Sequence, residues 1–412
     1  MTPPLYIALR FATHRKRALL LSLIGVVFGV AIFICTQAQT QGFAQFFIDS
    51  TIGSNGALLV RGRFHPRYEP LLVPSKSASA STAHRYYFEG IDNANAIMRV
   101  SRQFSNVVSC SPVIRGTVSA RVGFESTAVD LFGIDPTLHV RTTDLGKQLI
   151  DGRFDDFRNN PSSLIIGSKL ADTLDVNPGD AVQLLSPGGD YWRFTVAAIA
   201  HSGLGSIDST RVYSHARVAQ TLLKKPFAVS MIIYKLHNPD RAPALAAHFE
   251  NLFQHVAQSW QEREEANLQI FLTLRISAAI TVSLIILLAG FGIFNVLTMS
   301  VLAKIREIAI LRSMGYRRVD VSAIFLWQGA LIAALGSLVG CVLGAVLTWG
   351  ISRIPIRIRG LLSADHFLVI WNWRHYFWAT LLAMVAVFIA SYVPARRAAQ
   401  LPPVATLRGS SL

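Results

Sequence analysis

The chain is constrained most by two long apolar runs that flank a short charged connector. The runs cover residues 276–302 and 321–347, and each exceeds the roughly 20 apolar residues that a helix needs to cross the hydrocarbon layer of a membrane. Between them, the connector of residues 304–320 holds more Lys and Arg than Asp and Glu. Since such an excess marks the cytoplasmic side of membrane proteins, the connector is predicted to lie inside the cell.

The connector is predicted to form a short amphipathic helix at the inner membrane surface. Its apolar residues Ile305, Ile308 and Leu311 recur at helical spacing, and Gly315 follows them at the place where helices commonly end. Two interpretations stay open. The helix either rests among lipid headgroups as a turn, or it docks into a cytoplasmic partner and passes a conformational change to the membrane helices.

Two further spans bring the predicted number of transmembrane helices to four. Residues 1–40 combine a basic N-terminus with an apolar run longer than the core of a usual signal peptide, so an uncleaved first span is expected. The other spans are predicted over residues 266–303, 321–349 and 376–393. Basic residues near their inner ends predict that both termini, including the tail of residues 394–412, are cytoplasmic.

A large external domain is predicted between the first and second helices, over residues 41–265. The chain is 51% hydrophobic and 15% charged, which suits a membrane protein with a substantial soluble part. A serine-rich stretch at residues 75–81 predicts a loop, and the charge run at residues 262–265 is expected to be a solvated helical face. A second, shorter outer loop is predicted over residues 350–375.

The external domain is expected to have an α+β fold. Residues 113–122 and 126–133 are rich in β-branched side chains and predict a hairpin around an intervening glycine. Helices are predicted over residues 92–104 and 241–258, among further strands. Residues 186–190 predict a tight turn between two of these strands.

Glycines recur at four-residue spacing in the first and third spans. Gly25 and Gly29 form one such pair, and Gly336, Gly340 and Gly344 form a longer series. This spacing lets a neighbouring helix approach closely, so these residues are candidate helix-packing positions. Chance remains the alternative, because glycine is frequent in membrane helices.

The chain resembles ABC permeases of the MacB/FtsX superfamily in three motifs, which are FGIFNV at residues 291–296, REIAILRSMG at residues 306–315 and the ending at residues 394–408. In that superfamily the connector is a coupling helix that contacts a cytoplasmic ATPase. The resemblance implies that two permease subunits, identical or related, sit on two ATPase subunits. The residues that it implies for ATPase contact are Lys304, Arg306, Glu307, Ile308, Leu311, Arg312, Met314 and Gly315.

The external domain is similar to that of lipoprotein-releasing permeases of the LolC/LolE type. The similarity lies in GIDP at residues 133–136, IGSKLA at 166–171 and PGDAVQL at 178–184, with further matches at 41–43 and 361–367. It implies a bacterial inner-membrane protein with a periplasmic α+β domain, in contact with membrane lipids. It also implies that the cargo is a lipoprotein or another amphiphile.

One departure from the LolC type concerns residues 186–190. In LolC-type subunits an extended hook near this position receives a periplasmic chaperone, whereas here the turn is short. A periplasmic chaperone or adaptor is therefore an open partner, and so is the identity of the cargo.

The sequence predicts no catalytic centre in this chain. It lacks the GxxxxGK[ST] loop that holds nucleotide phosphates, so ATP and Mg are expected on the partner ATPase and no cofactor is expected here. His248 and His255 have no third ligand, so no metal site is predicted. Although the net charge is +15, the basic residues gather beside the apolar spans, so nucleic acid is not an expected partner.

Two other functions stay open beside lipoprotein release. A MacB-like tripartite exporter of peptides or glycolipids would work with an adaptor and an outer-membrane channel. An FtsX-like mechanotransmission regulator would use the same coupling to activate a cell-wall hydrolase, and would hydrolyse ATP without extracting cargo.

Overall fold

The computed structural model describes residues 16–62, 90–225, 228–354, 356–358, 362–364 and 367–400. The predicted loop at residues 75–81, the N-terminal residues 1–15, the tail from residue 401 and part of the motif at 361–367 lie outside this set. Contacts within the chain divide it into a helical unit and an α+β unit. The α+β unit comprises Phe46–Leu268 and the short segment Arg357–Ala364.

The described helices, in chain order, are α1 (Lys16–Asn55), α2 (Ala94–Ser101), α3 (Pro136–Thr142), α4 (Phe154–Asn159), α5 (Ser168–Leu174), α6 (Gly205–Asp208), α7 (Ala216–Leu222), α8 (Ala242–Phe253), α9 (Trp260–Arg263), α10 (Glu265–Ala303), α11 (Ile305–Ser313), α12 (Arg318–Ser352) and α13 (Trp373–Gln400). The described strands are β1 (Leu58–Arg61), β2 (Val107–Val122), β3 (Glu125–Ile134), β4 (Leu149–Gly152), β5 (Ser163–Gly167), β6 (Ala181–Leu185), β7 (Tyr191–Ala200), β8 (Arg211–His215), β9 (Met231–Leu236), β10 (Val256–Ser259), β11 (Ile356–Ile358) and β12 (Leu362–Ala364).

The helical unit is built on α1, α10, α12 and α13, four helices that are long and apolar enough to cross a membrane. Their shared core includes Val30 of α1, Ile293 of α10, Ala333 of α12 and Ala383 of α13. The outward side chains of α10 are largely apolar as well, as expected for a helix that faces hydrocarbon. The helix α10 has 39 residues, which corresponds to about 58 Å at 1.5 Å per residue.

The first helix continues well beyond the apolar run that predicted it, and it ends at Asn55. Gly56 follows with φ of 69°, in the left-handed region that commonly terminates helices. Strand β1 begins two residues later, so the turn at Gly56 leads directly from the first long helix into the sheet.

The α+β unit contains a ten-stranded mixed sheet. Its order is β10-β1-β9-β2-β3-β8-β5-β7-β4, and β6 pairs with both β2 and β7. The pairs β3–β8 and β5–β7 are parallel, whereas the other pairs are antiparallel. The predicted hairpin is confirmed as β2–β3, with Val118 opposite Val129 and Gly123 at φ of 59° in the turn.

Alternating side chains of the strands supply two separate cores. On β5, Leu164 and Ile166 pack in one hydrophobic cluster together with Leu170 of α5. The residue between them, Ile165, packs in another cluster with Phe157 of α4. Because successive side chains of a strand point to opposite faces, these clusters place helices on both faces of the sheet.

Two predicted helices of the external domain are shorter than expected. The helix predicted over residues 241–258 ends at Phe253, because Gln254 adopts φ of 57°, and residues 256–259 form strand β10 against β1. The prediction was therefore wrong for the end of this segment. The helix predicted over 92–104 spans only Ala94–Ser101.

The charge run at residues 262–265 is not simply a solvated helical face, as was expected. The carboxylate of Glu262 accepts the backbone N–H of Ser259 at 3.1 Å, which caps the start of α9. Arg263 is partly buried and bonds to backbone carbonyls near the end of α1. This run therefore holds together the turn that leads into α10.

Candidate coupling surface on the connector helix

The connector helix α11 ends at a glycine that adopts an unusual backbone conformation. Gly315 has φ of 97°, which costs glycine little because it has no Cβ. The N–H of Tyr316 donates to the carbonyl of Leu311 at 3.2 Å, and the N–H of Gly315 donates to the carbonyl of Arg312 at 3.2 Å. These paired bonds form the Schellman pattern, so Gly315 separates the connector helix from α12.

One face of α11 is buried against the neighbouring helices. Ile308 is 1% exposed and Ala309 is 4% exposed. Ile308 packs in one hydrophobic cluster with Val301 of α10 and with Val321 and Phe325 of α12. Because close-packed side chains transmit displacements, a movement of α11 would be passed to both long helices.

Polar contacts add to this attachment. The guanidinium of Arg312 donates to the carbonyl of Ala399 near the end of α13 at 3.3 Å. Lys304 lies 3.0 Å from the carboxylate of Glu307, whose side chain is 54% exposed. The side chain of Lys304 is 12% exposed, and this pair joins residues of the connector itself. The attachment to α10 and α12 therefore comes from the packing of Ile308.

An exposed stripe of residues 306, 310 and 314 runs along the remaining face of α11 and includes its C-cap, Met314. Met314 is 73% exposed and Ile310 is 47% exposed, with Arg306 at the start of the stripe and Glu307 beside it. Residues four apart lie on one side of a helix, so these side chains form one surface. Apolar side chains between charges of both signs suit a protein interface. Sequence reasoning missed Ile310, although its spacing from Met314 indicated it.

The glycine series of α12 lies against α1 within the helical unit. A Cβ added at Gly340 would lie 2.8 Å from the Cβ of Val30, and one added at Gly336 would lie 2.9 Å from the Cγ1 of Val26. At Gly344 the corresponding distance to a backbone atom of α1 is 3.2 Å. Since these distances are below ordinary van der Waals contact, only glycine permits this close approach.

The two glycines of the first helix, Gly25 and Gly29, lie against α10 instead. A Cβ added at Gly25 would lie 3.2 Å from the Cβ of Ala289, and one added at Gly29 would lie 2.9 Å from the Cγ1 of Ile286. The five candidate packing glycines thus occupy two contacts of α1, one with α12 and one with α10.

Two arginines hold the end of α1 within the α+β unit. The Nη2 of Arg263 donates to the carbonyl of Gly56 at 2.8 Å, and the Nη2 of Arg211 donates to the Oδ1 of Asn55 at 2.8 Å. Cations at a helix C-terminus are favourable because the helix dipole is negative there. Sequence reasoning missed both residues, because each is far from α1 in sequence. Arg263 lies two residues before the start of α10, so it ties the end of α1 to the segment that enters α10.

The turn between β6 and β7 is as tight as the sequence predicted. The N–H of Ser186 donates to the carbonyl of Asp190 at 2.9 Å, and the N–H of Gly189 donates to the carbonyl of Ser186 at 2.9 Å. No extended hook forms between these described strands.

Two protein-family models match the chain. The family described as "MacB-like periplasmic core domain" matches residues 19–252, which is more than half of the chain. The family described as "FtsX-like permease C-terminal" matches residues 279–403, and this region includes α11 and its exposed stripe.

Several known proteins are similar over much of their length. The lipoprotein-releasing system transmembrane protein LolC of Neisseria meningitidis is 26% identical over 348 residues, which cover 77% of this chain and 83% of that protein. The corresponding LolE protein of Haemophilus influenzae is 25% identical, with 99% of each chain covered. The macrolide export ATP-binding/permease protein MacB of Escherichia coli is 24% identical, covering 96% of this chain and 58% of that protein.

Proposed function

Since the chain belongs to the MacB/FtsX family of ABC transporter permeases, we propose that it is the membrane subunit through which a separate ATPase moves the α+β unit. The observation that carries this proposal is the two-sided character of α11. Its buried face is packed against the long helices α10 and α12, while Ile310 and Met314 are exposed on another face. A helix of this kind can bind a partner and transmit the partner's movement.

The proposed movement begins at the ATPase and ends at the sheet. ATP-driven closure of two ATPase subunits would displace α11 in each of two permease subunits. Ile308 would pass that displacement to α10, whose other end begins two residues after Arg263. ATP and Mg would be bound by the ATPase, and this chain would act without a cofactor.

The proposed location is the bacterial inner membrane, with the α+β unit in the periplasm and both termini in the cytoplasm. Four helices long and apolar enough to cross a membrane support this location. The basic connector supports the orientation, because Lys and Arg favour the cytoplasmic side.

The proposed cargo is a lipoprotein or a related amphiphile that is extracted from the inner membrane. The similarity to lipoprotein-releasing LolC and LolE proteins over most of the chain supports this class of cargo. The tight turn at residues 186–190 argues against direct handover to a chaperone through an extended hook. The same turn and the similarity to MacB favour export through an adaptor as the second candidate function.

Affinity purification of the chain from its native membrane, followed by mass spectrometry, tests this proposal. We expect an ABC ATPase and acylated lipoproteins to copurify. An ATPase together with an adaptor and a channel would favour export instead, and an ATPase with a cell-wall hydrolase would favour a regulator. If no ATPase copurifies under conditions that keep the membrane subunits together, the proposed function is wrong.

A further inference from the structure

A cavity of about 530 Å³ opens on the α+β unit, at some distance in sequence from the connector helix. It lies at the ends of neighbouring strands, where Arg61 ends β1 and Met231 begins β9 directly opposite it. Leu59 and Met231 supply apolar lining, while Thr117 and Gln258 supply polar side chains. Its volume falls within the range of about 300–1,000 Å³ that is usual for small-molecule sites, so it can hold more than a lone ion.

The charged residues that line this cavity are all basic. Arg61, Arg115, Lys225 and Arg263 line it, and none of the described lining residues is acidic. Arg115 is partly neutralised by Asp130, which lies 2.7 Å away outside the lining. With that ion pair counted, the groups at the cavity still include more basic than acidic side chains.

The charge of Arg263 is not neutralised by its hydrogen bonds. Its guanidinium donates to the backbone carbonyls of Asn55 and Gly56, which are uncharged groups. Burial lowers the pKa of Arg263 to about 10; the neighbouring carboxylate of Glu264 acts in the opposite direction, and the charge of Arg211 adds to the lowering. The group stays protonated at neutral pH, and its positive potential extends into the cavity.

Glu264 is an acidic neighbour of Arg263, but it does not line the cavity. The positive charge of the described lining therefore faces the cavity without an acidic side chain among the lining residues.

We infer that this cavity binds a phosphate group, with Arg61 as its principal cationic side chain and the apolar lining against the adjoining part of the ligand. Guanidinium groups match the oxygens of phosphate in geometry as well as in charge. The phosphate is either that of an anionic lipid headgroup or free phosphate. The assignment of a lipid headgroup rests on the proposed function, in which the α+β unit handles amphiphilic cargo.

Isothermal titration calorimetry on the intact chain in a neutral detergent tests this inference. The probes are dihexanoyl-phosphatidylglycerol, which is anionic, dihexanoyl-phosphatidylcholine, which has no net charge, and inorganic phosphate. We expect saturable binding of phosphatidylglycerol that weakens with added salt, competition by inorganic phosphate and much weaker binding of phosphatidylcholine.

Arg61→Gln should weaken phosphatidylglycerol binding about tenfold, the size expected for one charge-assisted hydrogen bond. Arg61 is exposed, so this change should leave the circular dichroism spectrum unaltered. Arg193→Gln is the matched control, because Arg193 is an exposed arginine on β7 that does not line the cavity. It should change the affinity less than twofold, which is within ordinary scatter for a surface charge.

The possible results separate the sources of the ligand. If phosphatidylglycerol binds more tightly than inorganic phosphate, the ligand is a lipid headgroup; if both bind equally and depend on Arg61, the ligand is free phosphate. Absence of saturable binding, or equal losses in Arg61→Gln and Arg193→Gln, would overturn the inference. These measurements involve no ATPase, so their outcome is distinct from a failure of the proposed function.

Discussion

Substitutions on the two faces of the connector helix should have different effects: one on the buried face should lower stability, and one on the exposed face should weaken ATPase association. Ile308→Ala removes three carbon atoms from a side chain that is 1% exposed. Truncation of a buried isoleucine costs about 2–5 kcal/mol, so we expect about 3 kcal/mol less stability for the attachment of α11. Met314→Asp changes a side chain that is 73% exposed, and it should alter stability by less than about 0.5 kcal/mol.

Hydrogen exchange of residues 305–313 in the intact protein measures these effects directly. A loss of about 3 kcal/mol corresponds to exchange that is about a hundred times faster in Ile308→Ala. In Met314→Asp the exchange should change by about twofold, whereas association with the ATPase should be lost because a charge replaces an apolar contact.

Met314→Ala provides a control that shortens the exposed side chain without adding charge. It should keep normal exchange and weaken ATPase association less than Met314→Asp does. Unchanged exchange in Ile308→Ala, or full ATPase association in Met314→Asp, would refute the assignment of the two faces.

Three further predictions concern the rest of the molecule. Gly340→Ala should lower the melting temperature of the protein in detergent, because the added Cβ would lie 2.8 Å from a side chain of α1. Such overpacking costs about 1–3 kcal/mol. Gly292→Ala should leave the melting temperature unchanged, because the added Cβ would have no atom within 4 Å. Burial, and less strongly the charge of Arg211, lowers the pKa of His139 to about 3. The unfolded chain therefore binds a proton that the folded chain excludes, so His139 should contribute a fall in stability of about 1.4 kcal/mol per pH unit from pH 6.5 towards 3. In urea titrations, His139→Gln should reduce the pH slope by that amount. Arg263→Gln should speed hydrogen exchange at the end of α1, through the loss of about 2 kcal/mol, and leave ATPase association unchanged.

Each of these three predictions can be refuted by one specific result. Equal melting temperatures of the two glycine variants would remove the argument for close packing. An unchanged pH slope in the histidine variant would assign the proton uptake to another group. Normal exchange in the arginine variant would mean that the guanidinium does not hold the end of α1.

Local patterns were sufficient to predict the features that depend on neighbouring residues. The end of α11 at Gly315 and the β2–β3 hairpin around Gly123 each require a positive φ, which glycine adopts readily. The long apolar helices could also be predicted from local sequence, because length and composition decide whether a helix can cross a membrane.

Features that depend on distant partners could not be predicted. Residues 256–259 continue an apparent helical pattern, and only pairing with β1 makes them a strand. Arg263 was expected on a solvated face because its acceptor, the carbonyl of Gly56, is 207 positions away in sequence. Ile310 and Ile308 are chemically alike, and only the packing of α10 and α12 decides which of them is buried.

The proposed function requires that α11 contacts an ATPase on the cytoplasmic side. Photocrosslinking in native membranes, with benzoyl-phenylalanine placed at Met314 or at Trp373, tests it most directly. Trp373 begins α13 and is 71% exposed, so it provides a matched exposed position on the opposite side of the predicted membrane. We expect an adduct with an ABC ATPase from position 314 and none from position 373. An ATPase adduct from position 373 alone, or from neither position, would contradict the proposed function.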